Sequence, residues 1–401
     1  MKKMIHSGRS ILNFSRYCMS FAGIWQYTLP TRNVILQKTY AMYMVLIKAY
    51  FPMFTISINV QFFLTVVNKN ASEKTEDEVY RDLSYVVIYS ILLVQFVVIF
   101  GRKTRSNYMV SFITKEETDI LASEDTQIVD YHLRQIRLCR GCNWGLFMFS
   151  CGTASAMALE MFLARDQVGK FNREFNATKE KPLVFDSYFY KLDMEKYASC
   201  LLVCSVISLV INVFIIVSIK TFFFSCIIFV PSILNKLQVR FVKIMNSGDD
   251  LWNAVGEIVM EHKRIISFVE NFNESIKYLT LLEYLLNSLN VAAVSIQFIK
   301  NEGEVAASPI FHFLFLIFQT FVLGWSANEI KVQSLKLADA LYHSAWYEQN
   351  EKIKKSILLM IIRAQKPLVL TIGPFDAMTT NSALRIMKAS YSYVSLMMNN
   401  L

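Results

Sequence analysis

Residues 367–401, PLVLTIGPFDAMTTNSALRIMKASYSYVSLMMNNL, combine membrane-spanning length with a stripe of polar side chains. Gly373-Pro374 is expected to break any incoming helix, which leaves residues 375–399 as a fresh helix long enough to cross the hydrocarbon layer. Spacings of three and four residues place one polar set on a single helical face: Asn381, Arg385, Lys388, Ser392, Ser395 and Asn399. The opposite face consists of Ala377, Leu384, Met387, Tyr391, Val394 and Met398.

This segment alone leaves two interpretations open. A helix with one polar face can line a water-filled pore, or it can lie in the cytosol or at the membrane interface as an amphipathic helix. The composition favours the pore-lining interpretation. Hydrophobic residues make up 54% and charged residues 18% of the 401 residues, which is too apolar for a soluble protein of this size. The sequence therefore predicts a polytopic membrane protein whose last helix is a pore wall.

Six further apolar stretches precede the terminal helix, each of about 20 residues, as a helix needs to cross a membrane. They lie at residues 43–67, 83–101, 143–163, 199–219, 276–299 and 310–330. Together they predict an all-α membrane protein with seven transmembrane helices. After Lys220 the chain stays apolar to Leu234, which could be an additional span. Because 14 residues are short for a span and no turn residues intervene, we interpret this part as one long helix that continues into the cytosol.

Basic residues predict the orientation. Residues 1–42 contain six Lys or Arg and no acidic residue, and the connection at 102–142 is also rich in Lys and Arg. The positive-inside rule places both in the cytosol, which puts the C-terminus outside the cell. The sequons at Asn70 and Asn176 fall in the first and third loops, both predicted to be extracellular, and are candidate glycosylation sites. Two further sequons, at Asn13 and Asn273, fall on the side predicted to be cytosolic. The four sequons therefore do not favour either orientation, and the predicted orientation rests on the basic residues.

Several functional classes lose support from the sequence. Ala164-Arg165-Asp166 stands where a G-protein-coupled receptor carries Asp-Arg-Tyr, and the last span has no Asn-Pro-x-x-Tyr. A secondary transporter is the alternative from another class, since polar residues in broken membrane helices also serve transport, but no internal repeat is visible. The net charge of +9 follows from the basic cytosolic segments and predicts no nucleic-acid partner.

The sequence also predicts that the chain is not an enzyme. It has no phosphate-binding glycine loop, no His-Glu-x-x-His motif and no nucleophile paired with a base. Cys139 and Cys142 form a single Cys-x-x-Cys pair in a segment predicted to be a cytosolic loop, without the second ligand pair that a zinc site requires. We therefore expect no metal site and no cofactor.

Short blocks near the C-terminus resemble the signature of the insect odorant receptor family. They are Trp346-Tyr347, Arg363-Ala364-Gln365-Lys366-Pro367-Leu368, Leu370-Thr371-x-Gly373 and Lys388-Ala389-Ser390-Tyr391-Ser392-Tyr393. The length, the number of spans, the basic N-terminus and the inverted topology extend a looser resemblance over the whole chain.

This resemblance implies a ligand-gated, non-selective cation channel that is a tetramer around one central pore. Such a channel binds small volatile molecules, lies in the plasma membrane of a sensory neuron dendrite and usually contains a shared co-receptor subunit. The chain resembles a ligand-tuning subunit, because 401 residues leave no room for the extended cytosolic loop that marks the co-receptor before span five. A homomeric channel and a G-protein-coupled chemoreceptor remain alternatives.

The resemblance also divides the chain into four regions. Residues 1–42 are a cytosolic N-terminal segment, and residues 43–330 hold spans one to six with a ligand pocket in their outer half. Residues 331–366 are cytosolic anchor helices, into which helices four to seven extend, and residues 367–401 form the pore-lining helix. Two apolar faces in the anchor pack within one subunit or between subunits: Leu335, Ala338, Leu341, Tyr342 and Ala345, then Ile353, Ile357, Leu358 and Ile361.

Family resemblance places the pore constriction near the outer end of the last helix, where apolar side chains close it. Leu396 is the candidate gate, with Asn400 one turn further on, and Ser392, Ser395 and Asn399 are the neighbouring pore positions. Asn400 would make the outer ring polar. Arg385 and Lys388 depart from what a cation pathway requires.

The ligand pocket is expected among spans two, three, four and six. Helical spacing brings together one set of candidates: Tyr85, Ile88, Tyr89, Thr153, Met157, Cys204, Ser208, His312 and Phe315. Glu160 and Gln319 share faces with this set, and any of these side chains could instead pack between helices. Glu283, Asn287 and Asn290 form a polar strip in span five, which predicts either a vestibule lining or, preferably, contact with a neighbouring helix.

Overall fold

The computed structural model describes residues 10–25, 33–67, 76–100, 103–175, 197–247, 251–300 and 307–398. Helices dominate this part of the chain, and the predicted all-α class is confirmed. In order they are α1 Asn13–Phe21, α2 Val34–Val67, α3 Glu76–Phe100, α4 Lys103–Leu121, α5 Thr126–Phe175, α6 Ala198–Ser247, α7 Leu251–Lys300, α8 Ala307–Tyr342, α9 Glu351–Ala364 and α10 Thr380–Met398. A 3₁₀ turn, Trp346–Glu348, precedes α9, and a hairpin of β1 Thr371–Ile372 and β2 Asp376–Ala377 precedes α10.

Each of the seven predicted spans falls on one of these helices, namely α2, α3, α5, α6, α7, α8 and α10. Within the described ranges, α2, α5, α6 and α8 contain an 18-residue stretch apolar enough to cross a membrane, and α3 contributes the shorter stretch Asp82–Val98. The other two predicted spans, α7 and α10, are more polar. Helix α7 carries Glu283, Asn287 and Asn290, and α10 carries the polar stripe. The chain is a multi-pass membrane protein.

Helices extend into two predicted connections, which corrects the sequence-based boundaries. Residues 102–142 contain α4 and the first part of α5, and α5 continues to Phe175, well beyond residue 163. Cys139 and Cys142 therefore lie on a helix and not in a loop. Hydropathy detects only the apolar window of such a helix, because the rest has a charged solvent face.

Helix α6 is the central element of the bundle. It runs without interruption past Lys220 and Pro231 to Ser247, so the prediction of one long helix is confirmed. It packs against α1, α5, α7 and α8. Its middle turns are buried on every side, including the large side chains Phe222, Phe224 and Phe229. A helix that is apolar all round is expected at the centre of a helical bundle, and α6 has this pattern.

The base of the molecule is the end formed by α4, α9, the hairpin and the adjoining parts of α5 to α8. A cluster of charged side chains joins three helices there. Lys236 Nζ on α6 lies 2.9 Å from Glu116 Oε2 on α4 and 3.1 Å from Glu261 Oε1 on α7. Arg240 also pairs with Glu261 and lies 3.5 Å from Glu257. Lys236, Glu116 and Glu261 are at most 10% exposed, so removing Lys236 leaves Glu116 buried without its cation, while Glu261 keeps only Arg240.

Two further titratable groups define the electrostatics of the base. Asp125 precedes α5, where its Oδ1 accepts a hydrogen bond of 2.9 Å from the Gln127 N–H. Lys243 hydrogen-bonds the same carboxylate and lowers its pKa, although Lys243 itself is mostly exposed. Burial, with a smaller contribution from Arg363, lowers the pKa of His262 on α7 to about 4. His262 is therefore neutral at physiological pH.

The predicted apolar faces of the anchor region are covered only in part within the single chain. On α8 the buried side chains are Leu337, Ala338 and Leu341, whereas Leu335 and Tyr342 are exposed. On α9 the predicted side chains Ile353, Ile357 and Ile361 are buried, but Leu358 is 45% exposed. Apolar periodicity identified the helices, but it did not identify which of two adjacent faces the neighbouring helices cover.

A tight hairpin separates α9 from α10, as Gly373-Pro374 predicted. Gly373 has φ +58°, and its N–H donates a 2.8 Å hydrogen bond to Lys277 O on α7. Thr371 N–H donates to Asn273 Oδ1 at 2.8 Å, and the Asn273 amide donates to Thr371 Oγ1 at 3.1 Å. The sequon at Asn273 is thus a structural contact that fixes the hairpin to α7.

Helix α10 begins at Thr380 and not at residue 375, which corrects the predicted start. Thr379 and Ser382 form a reciprocal cap, in which Thr379 N–H donates to Ser382 Oγ at 2.8 Å and Ser382 N–H donates to Thr379 Oγ1 at 3.3 Å. At Gly324 of α8, a Cβ would lie 2.8 Å from Thr379 O, so only glycine permits this close approach of α10. Phe375, outside the helix, is 79% exposed.

We expect Lys236→Met to destabilise the base by about 3 kcal/mol, because Glu116 loses its cation while remaining buried and Glu261 keeps only Arg240. The measurement is thermal unfolding of the purified protein in detergent. Lys243→Met on the same helix is the control, since Lys243 is 63% exposed and Asp125 keeps its hydrogen bond from the Gln127 N–H, so a loss of only about 1 kcal/mol is expected. Equal melting temperatures for the two variants would contradict a stabilising role for the buried cluster.

Candidate functional site

A cavity of about 330 Å³ lies within the bundle, at the end remote from the base. Five helices enclose it: α3, α5, α6, α7 and α8. Its walls are mainly apolar and aromatic, and they include Ile88, Tyr89, Met157, Leu209, Val213, Ile216 and Phe315. This volume and lining are typical of sites for small organic ligands.

The floor of the cavity is a buried ion pair with amide support. Lys220 Nζ on α6 lies 2.6 Å from Glu283 Oε1 on α7. Gln319 on α8 donates to the same oxygen at 2.6 Å, and Gln95 on α3 donates to Glu283 Oε2 at 2.7 Å. One carboxylate therefore collects contacts from three other helices. An uncompensated charge at this depth would cost several kcal/mol, so the pair is required for either group to be there.

The other end of the cavity has a second carboxylate. Glu160 on α5 accepts hydrogen bonds from Ser308 N–H at 2.8 Å and from Ser308 Oγ at 2.6 Å. Ser308 is in the first turn of α8, where backbone N–H groups have no intrahelical partner and where negative charge is favourable. Glu160 thus fixes the start of α8, and His312 follows one turn later on the same face.

Most of the predicted pocket residues line this cavity: Tyr85, Ile88, Tyr89, Thr153, Met157, His312 and Phe315, together with Glu160 and Gln319. Cys204 and Ser208 are not part of the lining, which corrects the predicted face of span four. Cys204 is exposed, and Ser208 is hydrogen-bonded to Tyr50. The face of α6 that reaches the cavity consists of Leu209, Val213, Ile216 and Lys220.

Sequence reasoning missed Lys220 and assigned Glu283 and Asn287 only to a polar strip. The structure brings Glu283 into contact with three helices, so the preferred interpretation, a contact between helices, is correct for this residue. Asn287 lines the cavity one turn further along α7, whereas Asn290 is buried outside it. Its position in the sequence could have identified Lys220, because it is the one charged residue between positions 199 and 234.

A second cavity of about 30 Å³ adjoins the floor on the side of the base. Lys220, Glu283 and Gln319 line both cavities. Met378, which precedes α10, lines only the smaller one. The ion pair therefore separates the main cavity from the start of the terminal helix.

The polar stripe of α10 is exposed in the single chain. Asn381, Arg385, Lys388, Ser392 and Ser395 all lie on the surface, and Arg385 forms an ion pair with Asp376 of the hairpin. The opposite face is not covered either, since Leu384 is 44% and Tyr391 75% exposed. The buried side chains of α10 are the small residues Ser382, Ala383 and Ser390, and Ile386 packs against the core while partly buried.

Several predicted site residues cannot be placed by this structure. Asn70, Asn176, Asn399 and Asn400 lie outside the described residues, and for Leu396 only the helical backbone is described. Within the described ranges no group of three or more His, Cys, Asp or Glu side chains could hold a metal ion. Cys139 is buried, with its Sγ 3.4 Å from Ser225 Oγ.

Comparison with known proteins identifies the family and the fold. The model of the family described as 7tm Odorant receptor matches residues 76–391. The chain belongs to the 7tm odorant receptor family. Membership of a receptor family agrees with the prediction that the chain is not an enzyme.

Individual odorant receptors show how far the similarity extends. Odorant receptor 10 of Aedes albopictus and odorant receptor Or2 of Anopheles gambiae are each 34% identical to this receptor, over 154 and 155 residues. These alignments cover 38% of this chain and 40% of each relative. The olfactory receptor OR5 from Machilis hrabei in complex with eugenol has a similar structure, with a TM-score of 0.79 and 14% identity over 98% of both chains. The similarity to OR5 therefore establishes the fold of this receptor.

We expect Met157→Trp to fill part of the main cavity and to lower the affinity for a small apolar probe about tenfold or more, because the indole occupies the space of the probe. Displacement of a fluorescent apolar probe from the purified receptor measures this affinity. Leu159→Trp is the control, because Leu159 is two residues away on the outer face of α5 and is 59% exposed. An unchanged affinity for Met157→Trp would show that the probe binds elsewhere.

Proposed function

We propose that this odorant receptor is a ligand-gated, non-selective cation channel subunit that opens a central pore when a small volatile molecule occupies the main cavity. The observation that carries the proposal is the exposed polar stripe of α10. Elsewhere in the described membrane helices, polar side chains such as Lys220, Glu283 and Gln319 are buried against each other. A row of five exposed polar side chains on one membrane helix is unfavourable in lipid but suits the wall of an aqueous pore.

One chain cannot enclose a pore with a single helix, so the proposal requires several subunits around a common axis. The base supports this, because α9 exposes Leu358, Leu359 and Ile362 on one side while its other face is buried within the chain. An apolar strip of this kind is typical of a subunit contact. We propose a tetramer in which four copies of α10 surround the axis, and we assign the base to subunit assembly in the cytosol.

The charges of α10 are compatible with a cation pathway once the hairpin is considered. Arg385 and Lys388 would repel cations, but Asp376 neutralises Arg385 by direct pairing. Beyond them the stripe continues with the neutral residues Ser392 and Ser395, both exposed. Leu396 follows as the proposed gate, since a ring of apolar side chains closes a pore by excluding water.

The contacts between the main cavity and α10 support coupling of binding to opening. Gln319 and Lys220 contact the ligand cavity on one side and the small cavity beside Met378 on the other. A ligand that fits better when the floor has shifted would move the start of α10 and favour the open state. Tight binding alone would not open the channel, because only a difference in affinity between the two states shifts their equilibrium.

We further propose that the subunit acts with an odorant co-receptor in the plasma membrane of sensory neurons, with its N-terminus in the cytosol and its C-terminus outside. Helices α6 and α7 support the assignment as a ligand-tuning subunit, because Ser247 and Leu251 leave only residues 248–250 between them. The basic residues of the first 42 positions support the orientation.

Whole-cell current tests this function in cells that express the chain with or without an odorant co-receptor. We expect a panel of volatile molecules to evoke a non-selective cation current in the co-expressing cells only, while G-protein signalling is blocked. Cells with the co-receptor alone are the control. Current from the chain alone would make it a self-sufficient channel.

Two other outcomes would replace the channel proposal. Loss of the response under the G-protein block would favour a G-protein-coupled chemoreceptor. Uptake that follows an ion gradient, with no ligand-evoked conductance, would favour a secondary transporter.

Replacement of the proposed gate residue gives a second test. Leu396→Ser is expected to raise the current without ligand, because a hydroxyl ring admits water where an apolar ring excludes it. Leu384→Ser is the matched control, since Leu384 is on the same helix but on the face opposite the polar stripe. Unchanged resting current with normal surface expression would remove Leu396 from the gate.

A further inference from the structure

The floor of the main cavity contains polar atoms that have no hydrogen-bond partner in the described part of the chain. They include Asn287 Nδ2, Gln319 Oε1 and Ser150 Oγ. The residues are at most 8% exposed and line the cavity. His312 Nε2, towards the other end of the same cavity, is a fourth such atom. Buried polar groups are nearly always hydrogen-bonded, so the three atoms at the floor favour a polar ligand group at this place.

Their arrangement around Glu283 defines where that ligand group would be. Asn287 follows Glu283 by four residues on α7, which places both side chains on one face about 6 Å apart along the helix axis. Gln319 donates its amide N–H to Glu283 Oε1 at 2.6 Å, which leaves its carbonyl oxygen as the unpaired atom. Asn287 thus offers a donor and Gln319 an acceptor, both within about one helical turn of the same carboxylate.

The net charge of the floor restricts the ligand further. Lys220 and Glu283 already neutralise each other at 2.6 Å. A carboxylate or an ammonium ligand would add a buried charge without a partner, which is unfavourable in this environment. An ether or ester oxygen could accept from Asn287 but could not donate to Gln319. A hydroxyl group does both with one oxygen atom.

We propose that the cavity selects neutral molecules that carry one hydroxyl group on an apolar body, and that Asn287 and Gln319 are the residues that recognise this hydroxyl. Asn287 Nδ2 donates to the hydroxyl oxygen, and the hydroxyl hydrogen is donated to Gln319 Oε1. The apolar body lies against the aromatic and aliphatic walls, including Tyr89 and Phe315. This inference rests on the proposed ligand-binding function of the cavity.

A matched series of three ligands tests the selectivity: 2-phenylethanol, its methyl ether, and propylbenzene, in which a methyl group replaces the hydroxyl. A purely apolar cavity would bind propylbenzene most tightly, because desolvation of the hydroxyl is unfavourable. We expect the reverse order, with 2-phenylethanol binding about tenfold more tightly than propylbenzene and the ether between them. Displacement of a fluorescent apolar probe from the purified receptor measures binding without any current.

Asn287→Leu is expected to weaken binding of 2-phenylethanol about tenfold while leaving propylbenzene unchanged or tighter. Asn290→Leu is the matched control, because Asn290 is also buried and its Nδ2 is also unpaired within the described ranges, yet it does not line the cavity. Equal effects of the two substitutions would overturn the assignment of Asn287.

The wild-type series is decisive without any variant. Tighter binding of propylbenzene than of 2-phenylethanol would overturn the inference, even if volatile molecules evoke a current and the channel proposal stands. Hydroxyl-selective binding in a protein that conducts no current would instead overturn the channel proposal and support the inference. The failure of each idea is therefore distinguishable from the failure of the other.

Discussion

The buried pair of Lys220 and Glu283 constrains the membrane part of this receptor more than any other contact. Neither charge is stable alone in an apolar bundle, so α6 and α7 must meet in one register that places Nζ 2.6 Å from Oε1. Gln95 and Gln319 then bring α3 and α8 to the same carboxylate. Apolar packing tolerates small shifts between helices, whereas a four-helix polar contact does not.

The same contact explains why the cavity lies where it does. Above the ion pair, the side chains of α6 facing the cavity are the smaller Leu209, Val213 and Ile216, and below it they are Phe223 and Phe224. The smaller aliphatic side chains leave space for the main cavity on one side of the ion pair. The larger phenylalanine side chains fill most of the space on the side of the base. The sequence of α6 on either side of Lys220 thus contributes to the position of the cavity, which five helices enclose.

Sequence reasoning found the elements and much of the cavity, because both follow from local patterns. Helical spacing correctly grouped Tyr85 with Tyr89 and Thr153 with Met157, since residues four apart share a face. The same spacing grouped Cys204 with Ser208, but it could not show which face of α6 meets the cavity, and the partner of Ser208 is Tyr50 of α2. Which polar group meets which neighbour is a long-range property that one helix does not encode.

Hydropathy also could not predict how far the helices extend outside the membrane. Residues 102–142 are charged on their exposed face and were therefore read as a connection, although α4 and α5 occupy them. The buried partners in this region are themselves charged, as Glu116, Lys236 and Glu261 demonstrate. A hydropathy profile treats such residues as solvent-exposed, and only their three-dimensional pairing reveals that they form part of a core.

Helix α10 differs from every other membrane helix in what holds it within the chain. Its buried side chains are small, as in Ala383 and Ser390, it approaches α8 closely at Gly324, and Ile386 adds a partly buried apolar contact. Small residues permit tight backbone packing, but they bury little apolar surface, so the contact fixes the position of α10 weakly compared with the phenylalanine-rich packing of α6. A helix held in this way at its start, by a capped turn and a short hairpin, can tilt without disrupting the rest of the bundle. This loose packing fits the pore-lining role proposed for α10, in which neighbouring subunits supply the contacts that the chain itself does not.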